Sequence, residues 1–278
     1  MLTLSQIWLM HLRGQLNQRN NNCKVNPGHV LIKYILSLVV PTSVGLGLAP
    51  FATAQTSTSN LVVTPDTSVA SAFMVAPGYL VTAYHAVRGR QTIYLAPSRD
   101  AVFTVGRIIG FSEEFDVALI NADVDGEPVP VGQWATYPTG AEAYVIGFPK
   151  IGNLVSDERI TSGIFNGYQD FGGRQDWFQL SAEIHRGNSG SPVIGPDGSV
   201  YGVISHKLDA EQVIRAYGDF PQNVNFALKS SRLAEFLNLY DVQYNIAMFS
   251  PSILMRPMEV YQKYEQSIFL LLATSSLE

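Results

Sequence analysis

The sequence predicts an all-β molecule built as two antiparallel β-barrels in tandem, closed off by a C-terminal helix. Three observations predict it. Short runs rich in β-branched and aromatic residues recur at regular intervals from about residue 61 to 240, the pattern of barrels rather than of βαβ units. Turn signals separate the runs, above all Pro77-Gly78 and Pro196-Asp197-Gly198, where proline pre-sets φ and glycine supplies a positive φ. A stretch with three prolines and two glycines, Asp123–Pro138, splits the runs into two halves, roughly 61–135 and 139–240.

Each element follows from its residues. Ser71–Ala76 and Tyr79–Ala83 read as a hairpin about Pro77-Gly78. Thr92–Ala96, Val102–Phe111 and Val117–Ala122 complete the first half as strands. In the second half the expected strands are Ala143–Gly147, Arg159–Gly167, Trp177–Ser181, Ser191–Ile194, Ser199–Ser205 and Val224–Leu228. Pro196-Asp197-Gly198 joins two of them as a hairpin turn. Lys229–Leu239 carries Leu233, Phe236 and Leu237, with Tyr240 just beyond, at helical spacing and reads as the terminal helix. Residues 241–278 are expected as a tail, in which Met248–Met258 and Ile268–Leu272 read either as a docking strand and helix or as a free extension.

Composition bounds the class. Of 278 residues, 46% are hydrophobic and 15% charged, enough for a sizeable core. Charge is placed unevenly. Residues 1–54 hold Arg13, Arg19, Lys24 and Lys33 and no acidic residue, so the rest has 14 Lys+Arg against 23 Asp+Glu, a net of −9. Such an acidic body argues against nucleic acid as a partner. The basic start, the apolar run Tyr34–Val40 and the small residues of Ala52-Thr53-Ala54 read as a signal peptide over 1–54, with cleavage leaving Gln55 first. Pro41, Gly45, Gly47 and Pro50 interrupt the run, against a permanent membrane anchor. The chain is thus expected to be periplasmic or secreted by a bacterium, with no stable membrane insertion after cleavage. Its only cysteine, Cys23, falls in the segment to be removed, so the mature fold is expected to have no disulfide.

Three short motifs carry chemistry: Thr82-Ala83-Tyr84-His85, Phe115-Asp116-Val117-Ala118-Leu119, and Arg186-Gly187-Asn188-Ser189-Gly190-Ser191-Pro192. A serine is a weak nucleophile. It needs a base within hydrogen-bond reach, a group to orient that base and donors for the oxyanion. Ser189 is the candidate nucleophile, His85 the base and Asp116 its orienter. The N–H groups of Gly187 and Ser189 are the candidate oxyanion donors. The elbow G-x-S-x-G of α/β-hydrolases is nearly matched here, but its second glycine comes one residue too early. No metal or organic cofactor is required. The histidines outside the triad lack the cysteine or carboxylate spacing of a zinc site.

These motifs, in the order His, Asp, Ser, resemble the three catalytic blocks of trypsin-fold serine proteases, and most closely the bacterial HtrA/Deg branch. Tyr144–Pro149, Tyr201–Ser205 and Asn225–Leu228 resemble further strands of that family, so the likeness covers roughly residues 61–240. It implies six strands per barrel, an active site in the cleft between the barrels, and protein or peptide substrates. Asn188 precedes the nucleophile where digestive trypsins have an aspartate, which implies an enzyme not switched on by a freed N-terminus. The 38 residues after Tyr240 are too few for the PDZ module that HtrA proteins usually carry. By the same matching, Glu183 falls at the base of the primary specificity pocket, with Ser205, His206 and Val224 as its walls. An acidic residue there implies cleavage after Lys or Arg. The plainer reading turns Glu183 outward to pair with Arg186 or Lys207. Three function classes follow: an exported serine endopeptidase, a non-catalytic binding protein on the same barrels, and a hydrolase of small esters. The intact triad favours the first over the second. The extended strand at Tyr201–Ser205, suited to pairing with a peptide, favours it over the third.

Overall fold

The computed structural model describes residues 61–64, 66–167, 175–207 and 224–275; the expected targeting segment 1–54 lies outside them. In chain order the first half supplies β1 (Leu61–Val62), β2 (Ser68–Ala76), β3 (Tyr79–Ala83), the single turn α1 (Tyr84–Val87), β4 (Thr92–Ala96), β5 (Thr104–Ser112) and β6 (Val117–Asn121). Then come β7 (Val131–Gly132), β8 (Glu142–Gly147), β9 (Lys150–Ile151), β10 (Leu154–Val155), β11 (Arg159–Gly167) and β12 (Trp177–Leu180). The remainder holds β13 (Pro192–Ile194), β14 (Val200–Lys207), β15 (Asn225–Lys229), α2 (Ser230–Asn238), β16 (Ile246–Ala247), α3 (Pro257–Tyr264) and β17 (Ile268–Thr274).

Two closed six-stranded antiparallel barrels result. The first runs β17-β2-β3-β6-β5-β4 and closes through β4 and β17. The second runs β13-β8-β11-β12-β15-β14 and closes through β13 and β14. β7 and β16 extend β14 as short parallel additions. The expected hairpin turns are present, with Gly78 at φ +75 and Gly198 at φ +80.

Period-two alternation shares the longer strands at the junction between two cores at once. In β2, Ala70, Ala72 and Met74 fill the first barrel, while Phe73 and Val75 face the second. In β6, Ala118 and Ile120 point inward and Val117 and Leu119 outward into the same shared core. β8 mirrors this, with Ala143 and Val145 inside the second barrel and Tyr144 and Ile146 at the junction. Strands apolar on both faces therefore mark the seam between barrels, and the sequence reads there as continuous apolar runs.

Two expectations change. Residues 241–278 are not a tail appended to a finished domain. β17 pairs with β2 on one side and β4 on the other, with Phe269, Leu271 and Ala273 inside the first barrel and Ile268 and Leu270 on the seam. The first barrel thus draws its sixth strand from the far end of the chain, and the boundary expected at residue 240 does not divide the fold. α2 is likewise not terminal. The path from it to β17 runs through α3, which starts at Pro257, has Arg256 N–H bonded to Glu259 at 2.7 Å, and buries Val260 and Tyr264. The second change is at Asp123–Pro138, read as a linker, which contains β7 and a 3-10 turn at Trp134–Thr136.

Candidate active site

β3 runs straight into α1, and this turn lifts His85 to the rim of the first barrel. Asp116 ends the tight turn between β5 and β6. Its φ of +51 is a left-handed conformation in which Asp and Asn are the commonest non-glycine residues. The turn is closed by Asp116 N–H to Glu113 at 3.4 Å, and Asp116 C=O accepts from Tyr84 N–H at 3.1 Å. The carboxylate consequently faces back to His85. Asp116 Oδ1 accepts the His85 main-chain N–H at 2.8 Å, and Oδ2 meets the ring Nδ1 at 2.7 Å. The other ring nitrogen, Nε2, lies 3.1 Å from Ser189 Oγ. Ser205, from β14, donates its hydroxyl to Asp116 Oδ2. Burial works to raise the Asp116 pKa, but the hydrogen bonds and charge of His85, then the Ser205 hydroxyl, outweigh it and hold the carboxyl below the usual range.

Ser189 sits in a loop whose main chain is pinned almost everywhere. His185 C=O accepts from Asn188 N–H at 3.1 Å, with Gly187 at φ +92. This is a reverse turn whose third position requires a positive φ. A Cβ at Gly187 would lie 2.3 Å from Phe148 O and 2.9 Å from Lys150 N, so a side chain is excluded twice over. Arg186 C=O accepts from Lys150 N–H at 2.6 Å, Gly187 C=O from Ser71 Oγ at 2.9 Å, Asn188 C=O from Ser191 N–H at 2.9 Å and Ser189 C=O from Ser71 N–H at 2.9 Å. Gly190 N–H bonds Ile204 C=O at 2.6 Å. Among the described residues the N–H groups of Gly187 and Ser189 have no intramolecular acceptor. In a trans peptide C=O and N–H point in opposite directions, so anchoring Arg186 C=O on Lys150 aims Gly187 N–H the other way.

The remaining expected residues fall in different places. Glu183 is not at the floor of a pocket. Its side chain is 66% exposed and its carboxylate lies 2.9 Å from His185 Nε2. The outward reading is the one observed, with His185 as a partner; the Lys207 side chain lies outside the described residues. Ser205 is buried and donates its hydroxyl to Asp116. Val224 is half-buried against the core shared by the barrels. The His206 main chain pairs with Phe226 in β14–β15, while its side chain lies outside the described residues. Sequence reasoning missed Ser71, and the one available signal was a hydroxyl inside an otherwise apolar run. It also missed a cavity of about 270 Å³ beside His85, walled by Tyr84, Arg88, Glu113, Glu114 and Trp177.

Comparison with known proteins agrees with this geometry. Residues 70–203 match the trypsin-like peptidase domain family. The protein y4bJ of Sinorhizobium fredii is 32% identical over 174 residues, 61% of this chain and 27% of that protein. The mitochondrial serine protease HTRA2 of Bos taurus is 30% identical over 205 residues, 69% of this chain and 39% of that protein. The structure of the HtrA-type protease AlgW with a decapeptide superposes with a TM-score of 0.50 at 26% identity, covering 61% of this chain and 50% of that one. The chain thus spans well under half the length of both relatives. With two six-stranded barrels and a domain match over residues 70–203, just under half of its length, the chain has the trypsin-like fold and is similar to the trypsin-like peptidases and their HtrA/Deg branch.

Proposed function

We propose that the chain is an exported serine endopeptidase that cleaves peptide bonds through an acyl-enzyme. The observation carrying this reading is the continuous line of hydrogen bonds from Asp116 through His85 to Ser189, beside two main-chain N–H groups without an acceptor among the described residues. Ser189 Oγ attacks the peptide carbonyl carbon while His85 Nε2 takes its proton. The carbonyl oxygen gains the negative charge and is held by the Gly187 and Ser189 N–H groups; losing one such donor typically costs about 3 kcal/mol. The C–N bond then breaks as the imidazolium returns the proton to the leaving amine. Water, deprotonated by the same nitrogen, releases the acid and regenerates Ser189. Asp116 keeps Nδ1 protonated and stabilises the imidazolium, and a carboxyl held below its usual range stays ionised for that task.

A peptide substrate is supported by β14. Its pairing to β13 ends at Val203, whereas its pairing to β15 continues to Lys207. β14 thus runs on past the end of β13 as an extended strand, a shape to which an extended peptide can add as a further strand. The similar structure of the HtrA-type protease AlgW holds a decapeptide. Export rests on the basic, acid-free start and the small residues before Gln55; N-terminal mass spectrometry of exported protein is expected to find Gln55 first.

The test is covalent. A fluorophosphonate is expected to label the wild type at one serine. Ser189→Ala is expected to abolish labelling and lower peptide hydrolysis by at least about 1,000-fold while the circular dichroism spectrum is retained. Hydrolysis at the wild-type rate by purified Ser189→Ala would remove Ser189 from the mechanism.

A further inference from the structure

We propose that Ser71 is a positioning residue: a buried hydroxyl of the first barrel that holds the nucleophile loop of the second in its working shape. The inference rests on the reading of Ser189 as nucleophile. Ser71 lies in the middle of β2, fully buried, between Ala70 and Ala72. A hydroxyl in such surroundings is costly unless its hydrogen bonds are made. Both are made here, and both reach across to the second barrel. Ser71 Oγ donates to Gly187 C=O at 2.9 Å and accepts from Phe148 N–H at 3.0 Å. The Ser71 main-chain N–H donates to Ser189 C=O at 2.9 Å. Its own C=O is fixed in turn by Thr82 Oγ1 at 2.7 Å.

One residue therefore occupies two of the four carbonyls between Arg186 and Ser189. The other two are held by main-chain donors, from Lys150 and Ser191, which are present whatever the side chains. The Ser71 hydroxyl is thus the side-chain clamp on this stretch among the described residues, and it acts where the chain is easiest to turn. Gly187, without Cβ, rotates at lower cost than any neighbour. With its C=O released, the 187–188 peptide plane is free to swing. Because the peptide moves as a rigid unit, Asn188 N–H then leaves His185 C=O and the flanking N–H groups of Gly187 and Ser189 lose their common aim. The molecule also makes room for the clamp: a Cβ at Gly147 would stand 2.7 Å from Ser71 Oγ and 2.0 Å from Ser191 Oγ.

The experiment compares Ser71→Ala with Ser230→Ala. Ser230 is an equally buried serine whose Oγ donates to Gly132 C=O at 2.7 Å, outside the loop. Both variants are expected to lose similar thermal stability. Ser71→Ala alone is expected to lower kcat and the rate of fluorophosphonate labelling by about 100-fold, the scale of a small misplacement of reacting groups, with KM within about twofold of wild type. Ser71→Cys keeps most of the volume and weakens the hydrogen bond, so it should fall between wild type and alanine, and it serves as the comparison if Ser71→Ala does not fold. Wild-type kcat in Ser71→Ala, or in Ser71→Cys where that is the variant that folds, overturns the proposal. So does an equal kcat loss in Ser230→Ala. A wild-type protein that takes no label at Ser189 overturns the underlying reading instead, which separates the two failures.

Discussion

Asp116 combines two demands that usually conflict. It occupies a left-handed backbone conformation, φ +51, and it presents a carboxylate to three donors, two from His85 and one from Ser205. Asp and Asn tolerate that conformation because of their short polar side chains, whereas alanine pays strain of about 1 kcal/mol or more. Two substitutions therefore separate backbone from chemistry. Asp116→Asn is expected to keep the melting temperature near wild type yet lower kcat by about 10⁴-fold, since an amide does not hold the imidazole in the required tautomer. Asp116→Ala is expected to lose comparable activity and, in addition, thermal stability. Equal melting temperatures for the two variants would show that the turn carries no strain. The triad was legible in the sequence because each member lies in its own short motif with family-like order and spacing. Ser71 was not, because its meaning depends on partners 77 and 116 residues away, at Phe148 and Gly187. Glu183 misled for a related reason: matching by position gives an address, but not whether the side chain turns inward or, as here, out to His185.

At the scale of elements, strands with strong β-branched content and clear turn punctuation were read to the residue, as at Tyr79–Ala83, Thr92–Ala96 and Arg159–Gly167. β17 was recognised only as a short apolar run. Nothing local distinguishes a strand that docks on a neighbouring hairpin from one that inserts between the two ends of an open barrel nearly two hundred residues upstream. Its pairings nonetheless make it integral: Leu270 lies opposite Ser71 on one side and Ala96 on the other. Leu271, fully buried in the first barrel, offers a direct measurement. Leu271→Ala is expected to destabilise the fold by about 3 kcal/mol, the usual cost of a large cavity in a core. Leu254→Ala, at a position 62% exposed in the segment before α3, is expected to change stability by less than about 0.5 kcal/mol. Urea unfolding of the two variants decides whether residues 268–274 belong to the folding unit. A Leu271→Ala midpoint equal to wild type would return them to the status of a tail.

For the molecule as a whole, the C-terminal segment links the barrels, and one ionisable group sits on that link. Glu158 immediately precedes β11 of the second barrel and contacts Tyr261 on α3, which leads into β17 of the first. Its Oε1 is buried without a hydrogen-bond partner among the described residues. Burial pushes its pKa up to about 8; the Tyr261 hydroxyl opposes the shift and the nearby Glu265 adds to it. The carboxyl is then protonated in the folded protein where the unfolded chain, near its ordinary value of 4.5, has already released the proton. Stability from this group is fully present below pH 4.5, declines as pH rises between 4.5 and 8, and is lost above about 8. Asp197, half-buried beside Tyr201, is also raised and acts in the same sense, with its decline beginning above its ordinary 3.8. Asp116 acts oppositely: its lowered pKa gives stability that is lost only as pH falls below its ordinary 3.8, outside the neutral window. Between pH 5.5 and 8.5 the melting temperature is therefore expected to fall. Glu158→Gln, which mimics the protonated carboxyl at every pH, should flatten that fall and be more stable than wild type at pH 8.5, while matching it at pH 5.5. Parallel melting curves for wild type and Glu158→Gln across this range would show that the carboxyl is solvated and that the link between the barrels does not depend on its charge.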